Sequence, residues 1–169
     1  EYSALTISNS VSFEKGLELV KVRAENMEKA GHIYNGTMAA IVGLEEKEVQ
    51  LICSSYKGKG LVVVANYNSP KQIVVSGTSD AVIEIIEKAK NKGARLAIEL
   101  KVSGAFHSPL MNPAREALVE ILDSISFKDP QYPLFNNVNG KPIFNGEKIK
   151  ISLLQQLENP VLWTKSIIE

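Results

Sequence analysis

The spacing of apolar positions changes several times along this chain, and each change marks an element. From Ser12, which can cap a helix, to about Ala30 the apolar residues recur with a helical period, and Gly31 is the expected stop. At about 100° per residue, Phe13, Leu17, Val20, Ala24 and Met27 share one face, which Leu19 and Ala30 widen. Glu14, Glu18, Lys21, Glu25 and Lys29 take the opposite arc. Arg23 falls inside the apolar arc, between Val20 and Ala30.

The pattern then alternates. Residues 37–44 read as a strand ending in Gly43, 45–56 as a helix, 57–60 as a turn, and 61–67 as a β-branched strand. A tight turn at 68–71 leads to a strand over 72–76. Thr78 can cap a helix running to Lys92, with Val82, Ile85, Ile86 and Ala89 on one face and Gly93 as the stop. Another strand covers 95–102. The order β-α-β-β-α-β is that of the split βαβ, or ferredoxin-like, unit. Beyond it, Asn112-Pro113 is a cap and first-turn pair for a helix to about Ser124, buried through Leu118, Ile121, Leu122 and Ile125. Residues 132–138 read as a strand, Asn139-Gly140 as a turn, and 148–157 as a helix that Asn159-Pro160 breaks. The predicted architecture is α/β. A small ferredoxin-like subdomain at 36–102 is inserted into a larger domain whose parts are 1–35 and 103–169.

Composition narrows the classes. The chain has 169 residues, and its 19 basic and 19 acidic side chains cancel, so no charge surplus points to nucleic acid. No apolar run is long enough to span a bilayer. With Cys53 as the only cysteine, neither an internal disulfide nor a thiolate metal cluster is available, which favours a reducing, cytoplasmic setting. Cys53 shares a stripe with Val49, Ile52 and Tyr56 and reads as core. No metal site is expected. Both ends read as cut from a longer protein, since Glu1-Tyr-Ser-Ala-Leu5 resembles a helix interior and residues 163–169 stop inside an amphipathic stretch.

Two residues carry candidate chemistry. His107 sits in Ser103-Gly-Ala-Phe-His-Ser-Pro-Leu-Met111, where a strand gives way to a small-residue turn before a helix. A histidine there can act as a general base; the alternative is a capping role. Gly104 and Ala105 favour the former, because they let a backbone or ligand come close. Arg23, if buried, needs a partner: either a core carboxylate or the carboxylate of a substrate, held by the guanidinium fork. The amides of Asn66, Asn68 and Gln72 surround a turn and serve either local backbone or a ligand. His32 reads as exposed. No Gly-x-Ser-x-Gly elbow occurs, so an activated nucleophile is missing.

These residues resemble a known family. Glu1-Tyr-Ser-Ala4, Val22-Arg23 with Met27, Gly36-Thr-Met-Ala-Ala40, Asn66-Tyr-Asn-Ser-Pro-Lys-Gln72, Val75-Ser-Gly77, Phe106-His-Ser-Pro-Leu-Met111 and Gln156-Leu-Glu-Asn-Pro-Val-Leu-Trp-Thr164 run in the order seen in malonyl-CoA–acyl-carrier-protein transacylases. They are also similar to the acyltransferase domains of polyketide synthases. The resemblance implies a partial α/β-hydrolase-like domain carrying the ferredoxin-like insert. It implies transfer of malonyl from malonyl-CoA, through a serine ester, to the phosphopantetheine thiol of acyl carrier protein in fatty acid biosynthesis. No permanently bound cofactor is expected, and the partners are the coenzyme A thioester and the carrier protein. His107 matches the base, Gln156 the residue whose backbone carbonyl orients it, and Arg23 the clamp on the malonyl carboxylate. Asn66, Asn68 and Gln72 match a region near the coenzyme A arm, and Phe106 matches the malonyl-selective Ala-Phe-His pattern. The family's serine elbow would end just before Glu1, and its amino-terminal oxyanion-hole loop is also outside this sequence. Leu96 stands where some members have arginine. Loss of a catalytic serine costs about 10⁶ in turnover, so this chain alone is expected to be nearly inactive. The rival readings are a non-catalytic fragment or docking module for a carrier protein, and a serine hydrolase.

Overall fold

A computed structural model describes residues 1–169. The chain opens with a short helix, α1 (Tyr2–Ile7), followed by the long α2 (Phe13–Ile33). The Ser12 side chain caps α2 by accepting from the Lys15 N–H. Next come β1 (Gly36–Val42), α3 (Glu46–Ser54), β2 (Val62–Ser69), β3 (Gln72–Thr78), α4 (Ser79–Asn91) and β4 (Leu96–Glu99). The four strands form one antiparallel sheet in the order β2-β3-β1-β4, the arrangement expected of a β-α-β-β-α-β chain. Residues Ala39, Ile41, Ile73 and Val75 alternate onto the sheet face that α3 and α4 cover, where Val49, Ile52, Val82 and Ile85 complete a core.

A second core lies outside that sheet. After a 3₁₀ turn (Pro109–Met111), α5 (Asn112–Ser124) packs on α2, and α6 (Gly146–Gln156) packs on α5. Leu5, Leu19, Met27, Met111, Leu118, Leu122 and Leu157 meet there. A two-stranded ribbon, β5 (Leu134–Phe135) with β6 (Pro142–Ile143), and the final helix α7 (Trp163–Ile168) complete the chain.

Several expectations change. The helix α2 does not stop at Gly31 but continues to Ile33. Gly31 is instead the point where α2 touches the backbone of Ser103 and Gly104, and a Cβ would overlap the Ser103 carbonyl oxygen. The α2 face is also rotated from the expected one. Gly16, Leu19, Met27 and Ala30 are buried, whereas Phe13 is 67%, Leu17 59% and Val20 43% exposed. This helix has apolar residues on two sides, and periodicity alone does not say which side meets the body. Thr78 occupies the cap position of α4, but its hydroxyl donates to Leu61 O rather than capping. Ser108, not Asn112, provides the side-chain cap at the start of the 109–124 helical stretch, accepting from the Leu110 N–H. The strand expected over 132–138 shrinks to two residues, because the Asn136 side chain accepts from the N–H groups of Val138 and Asn139 and turns the chain.

The two cores are tied by the segment after α6. Val161 donates its N–H to Ala65 O (2.8 Å) and accepts from the Tyr67 N–H (2.9 Å), forming a parallel bridge on the free edge of β2. Thr164 adds a hydroxyl bond to Tyr67 O at 2.9 Å.

Candidate active site

The turn before α5 puts His107 in a left-handed backbone conformation, φ +58°. That conformation costs a non-glycine residue on the order of 1 kcal/mol or more, and such strain gathers at functional sites. Two contacts hold the turn. Ser108 donates its hydroxyl to Ala105 O at 2.6 Å, and Gly104 lies against Gly31 of α2. Small residues are therefore required on both sides of the α2–turn contact.

His107 Nδ1 lies 3.0 Å from the main-chain carbonyl of Gln156, at the end of α6. A carbonyl only accepts, so when this bond is made the proton is on Nδ1 and the Nε2 lone pair is free, the tautomer a general base requires. The pKa of His107 lies below the ordinary 6.5, chiefly because burial disfavours the imidazolium. The positive charge of Arg23 acts in the same direction, and the backbone groups of Gln156 and Asn159 oppose both.

Arg23 is half-buried on α2 and donates from Nη2 to Gln156 Oε1 at 2.9 Å. None of the ion pairs in the chain includes it, and its Nε is buried without a partner. The partly buried Glu1 carboxylate feels the charge of Arg23 but makes no ion pair with it, and accepts from the Asn137 N–H instead. The ring of Tyr2 lies 5.9 Å from its guanidinium carbon. Burial pushes the Tyr2 phenol up to about 12, so it remains neutral beside the cation.

Arg23, Phe106, His107 and Asn66 line one cavity of about 570 Å³, together with Ala24, Met27, Glu28, Met38 and Ser103. The cavity runs from α2 to the sheet, where Met38 belongs to a small third cluster with Ala65 and Val74. A β-bulge between Val64 and Asn66 breaks the β2–β3 register where Asn66 meets the cavity. Asn68 and Gln72 lie on the β2–β3 hairpin and are not part of this lining. Met38 and Tyr2 were not singled out from the sequence as site residues. Each is an apolar or aromatic side chain far from His107 along the chain, and only the fold brings them together. No group of three or more His, Cys, Asp or Glu side chains is placed to hold a metal. Cys53 is buried in the other core, and burial raises its thiol to about 12.

Residues 1–169 match the family described as "Acyl transferase domain", and the chain belongs to that family. Among individual relatives it is 41% identical over 168 residues to the malonyl CoA-acyl carrier protein transacylase of Bacillus subtilis (strain 168), covering 99% of this chain and 53% of that protein. It is 38% identical over 167 residues to the transacylase of the same name from Escherichia coli (strain K12), covering 99% and 54%. The solved structure of the malonyl CoA-acyl carrier protein transacylase from Coxiella burnetii superposes with a TM-score of 0.95 at 36% identity, over 99% of this chain and 53% of that one. A type II PKS acyl-carrier protein in complex with its malonyl-transacylase is also similar, with TM-score 0.93 and 35% identity over 99% of this chain and 54% of the matched one. The chain thus spans about half the length of the relatives it matches. No helix is long and apolar enough to cross a membrane.

Proposed function

We propose that this chain supplies the general base and the carboxylate clamp of a malonyl-CoA:acyl-carrier-protein transacylase, whose serine nucleophile lies outside residues 1–169. The observation that carries this reading is an arginine that makes no ion pair, in the same cavity as a histidine whose Nδ1 faces a main-chain carbonyl. Residues 1–35 and 103–169 belong to an α/β-hydrolase-like acyltransferase domain, and 36–102 form its ferredoxin-like subdomain. The antiparallel strand order and the two separate cores support that division.

In this reading His107 Nε2 takes the proton of the serine hydroxyl as its oxygen attacks the thioester carbonyl of malonyl-CoA. The tetrahedral intermediate collapses, the C–S bond breaks, and the imidazolium returns the proton to the coenzyme A thiolate. The carrier-protein thiol then repeats the sequence in reverse, giving up its proton to His107 and taking the malonyl group. Arg23 holds the distal carboxylate, and Phe106, Met27 and Met38 enclose the three-carbon chain. Asn66, Asn68 and Gln72 face the coenzyme A side. Gln156 keeps the imidazole oriented, in the place an acid occupies in a triad.

The test is Arg23→Ala in the complete acyltransferase. A carboxylate held through two charge-assisted bonds loses about 10²–10⁴ in kcat/KM when the cation goes. Malonyl transfer falls by that factor while acetyl transfer does not fall. Equal losses for both substrates reject the clamp.

A further inference from the structure

Gln156 meets both halves of the site through three of its atoms. Its main-chain oxygen lies 3.0 Å from His107 Nδ1, its side-chain nitrogen lies 3.1 Å from the same Nδ1, and its Oε1 accepts from Arg23 at 2.9 Å. One ring nitrogen cannot satisfy both of its neighbours. With a proton it donates to the carbonyl; without one it accepts from the amide. The amide cannot simply turn round, because its NH₂ would then face a guanidinium that has only donors. Gln156 is 4% exposed, so little water competes for these groups.

We infer that the Gln156 side chain is a positioning residue that couples the clamp to the base, by holding Arg23 with its oxygen and thereby aiming its nitrogen at His107 Nδ1. This rests on the roles proposed above for Arg23 and His107. In the empty site Arg23 fixes the amide, whose NH₂ competes with the main-chain carbonyl for Nδ1. Each time the amide prevails, the ring proton sits on Nε2 and the histidine cannot act as a base. A substrate carboxylate that takes over Arg23 weakens its hold on Oε1 and lets the amide relax from the ring. The carbonyl is then the sole partner of Nδ1, and the lone pair is on Nε2. An acyl group without a carboxylate does not release the amide. Discrimination in favour of the diacid therefore enters the chemical step as well as binding.

The experiment uses the complete acyltransferase with ¹⁵N-labelled histidine, with malonate as the probe and acetate as the control. Malonate shifts the His107 ring nitrogens toward the Nδ1-protonated pattern, and acetate does not. Identical tautomer signatures with and without malonate overturn the inference. In parallel, Gln156→Met keeps the main-chain carbonyl and the side-chain length. Its malonyl-over-acetyl ratio in kcat/KM falls roughly tenfold to a hundredfold, the size of one charge-assisted hydrogen bond, chiefly because acetyl transfer gains in kcat once no amide competes for Nδ1. A ratio within about twofold of the parent overturns the coupling. A loss in Arg23→Ala with none in Gln156→Met refutes this inference alone, whereas no loss in Arg23→Ala refutes the clamp on which it rests. The labelled-histidine measurement needs no variant, so it decides the matter even if Gln156→Met does not fold.

Discussion

Gly31 and Ser103 meet backbone to backbone: the third residue from the end of α2 lies against the carbonyl that precedes the His107 turn, and a Cβ on the glycine would overlap that oxygen. Gly31→Ala sets two effects against each other. Alanine favours a helix by about 1 kcal/mol, but the neighbour here is backbone and cannot step aside. Overpacking of this kind costs about 1–3 kcal/mol, so the clash wins. The expected outcome is a lower melting temperature together with a slower acylation step, because the turn that carries the base is displaced. Unchanged melting and acylation would show that the contact yields without cost.

His107 remains neutral further into acid than an ordinary histidine, first because of burial and then because of Arg23. The acid-side decline of acylation in the complete protein is therefore centred below pH 6.5. Arg23→Gln removes a positive neighbour and moves that decline to higher pH. The same depression bears on stability. The unfolded chain takes up the proton more readily than the folded one, so the contribution is present above pH 6.5 and is lost as pH falls through the folded value. Rapid-quench acylation across pH measures the first effect, and a decline centred at or above 6.5 in the parent contradicts it. His107→Ala slows acylation by about 10²–10⁴, the usual worth of a general base.

Cys53 is chemically silent in the folded chain. With its thiol raised to about 12, the thiolate fraction at pH 8 is about 10⁻⁴. Alkylation by iodoacetamide should follow unfolding, with a rate that rises with urea. Fast labelling in native buffer would indicate that the α3 face opens.

The bridge at Val161 is testable through one atom. Val161→Pro removes the N–H that donates to Ala65 O at 2.8 Å. Loss of that bond costs about 1–3 kcal/mol, because an acceptor is left unmatched. Hydrogen exchange at the Tyr67 amide, which bonds Val161 O, should quicken more than exchange within β1 and β3. Uniform quickening would point to general destabilisation instead.

The parts of the fold that could be read directly were those with local punctuation. The element order from Thr37 to Glu99 follows from alternating apolar runs and glycine stops, and the sheet has the arrangement that order implies. The α2 face was not legible, since Phe13, Leu17 and Val20 are as apolar as Leu19, Met27 and Ala30, and the choice between them is made by packing partners distant in sequence. Gly31 carried a signal with two meanings, helix stop and close approach, and only the neighbouring turn distinguishes them. At the site, His107 and Arg23 stood out through their chemical type in an apolar setting. Gln156 was reached through resemblance, and that reached only its main-chain oxygen. Nothing local in Gln155-Gln156 indicates that one amide is engaged by an arginine 133 positions earlier.

The strap formed by residues 159–164 has a mechanical consequence. One wall of the cavity belongs to α2 and the other to the sheet through Met38 and Asn66, so its aperture depends on how far those two bodies can swing apart. The bonds of Val161 and Thr164 tie this strap to β2, and they lie only a few residues beyond Gln156. A bulky cargo that pries the cleft open would tug on the same peptide that steadies the imidazole, so crowding at the entrance would register directly at the reactive centre.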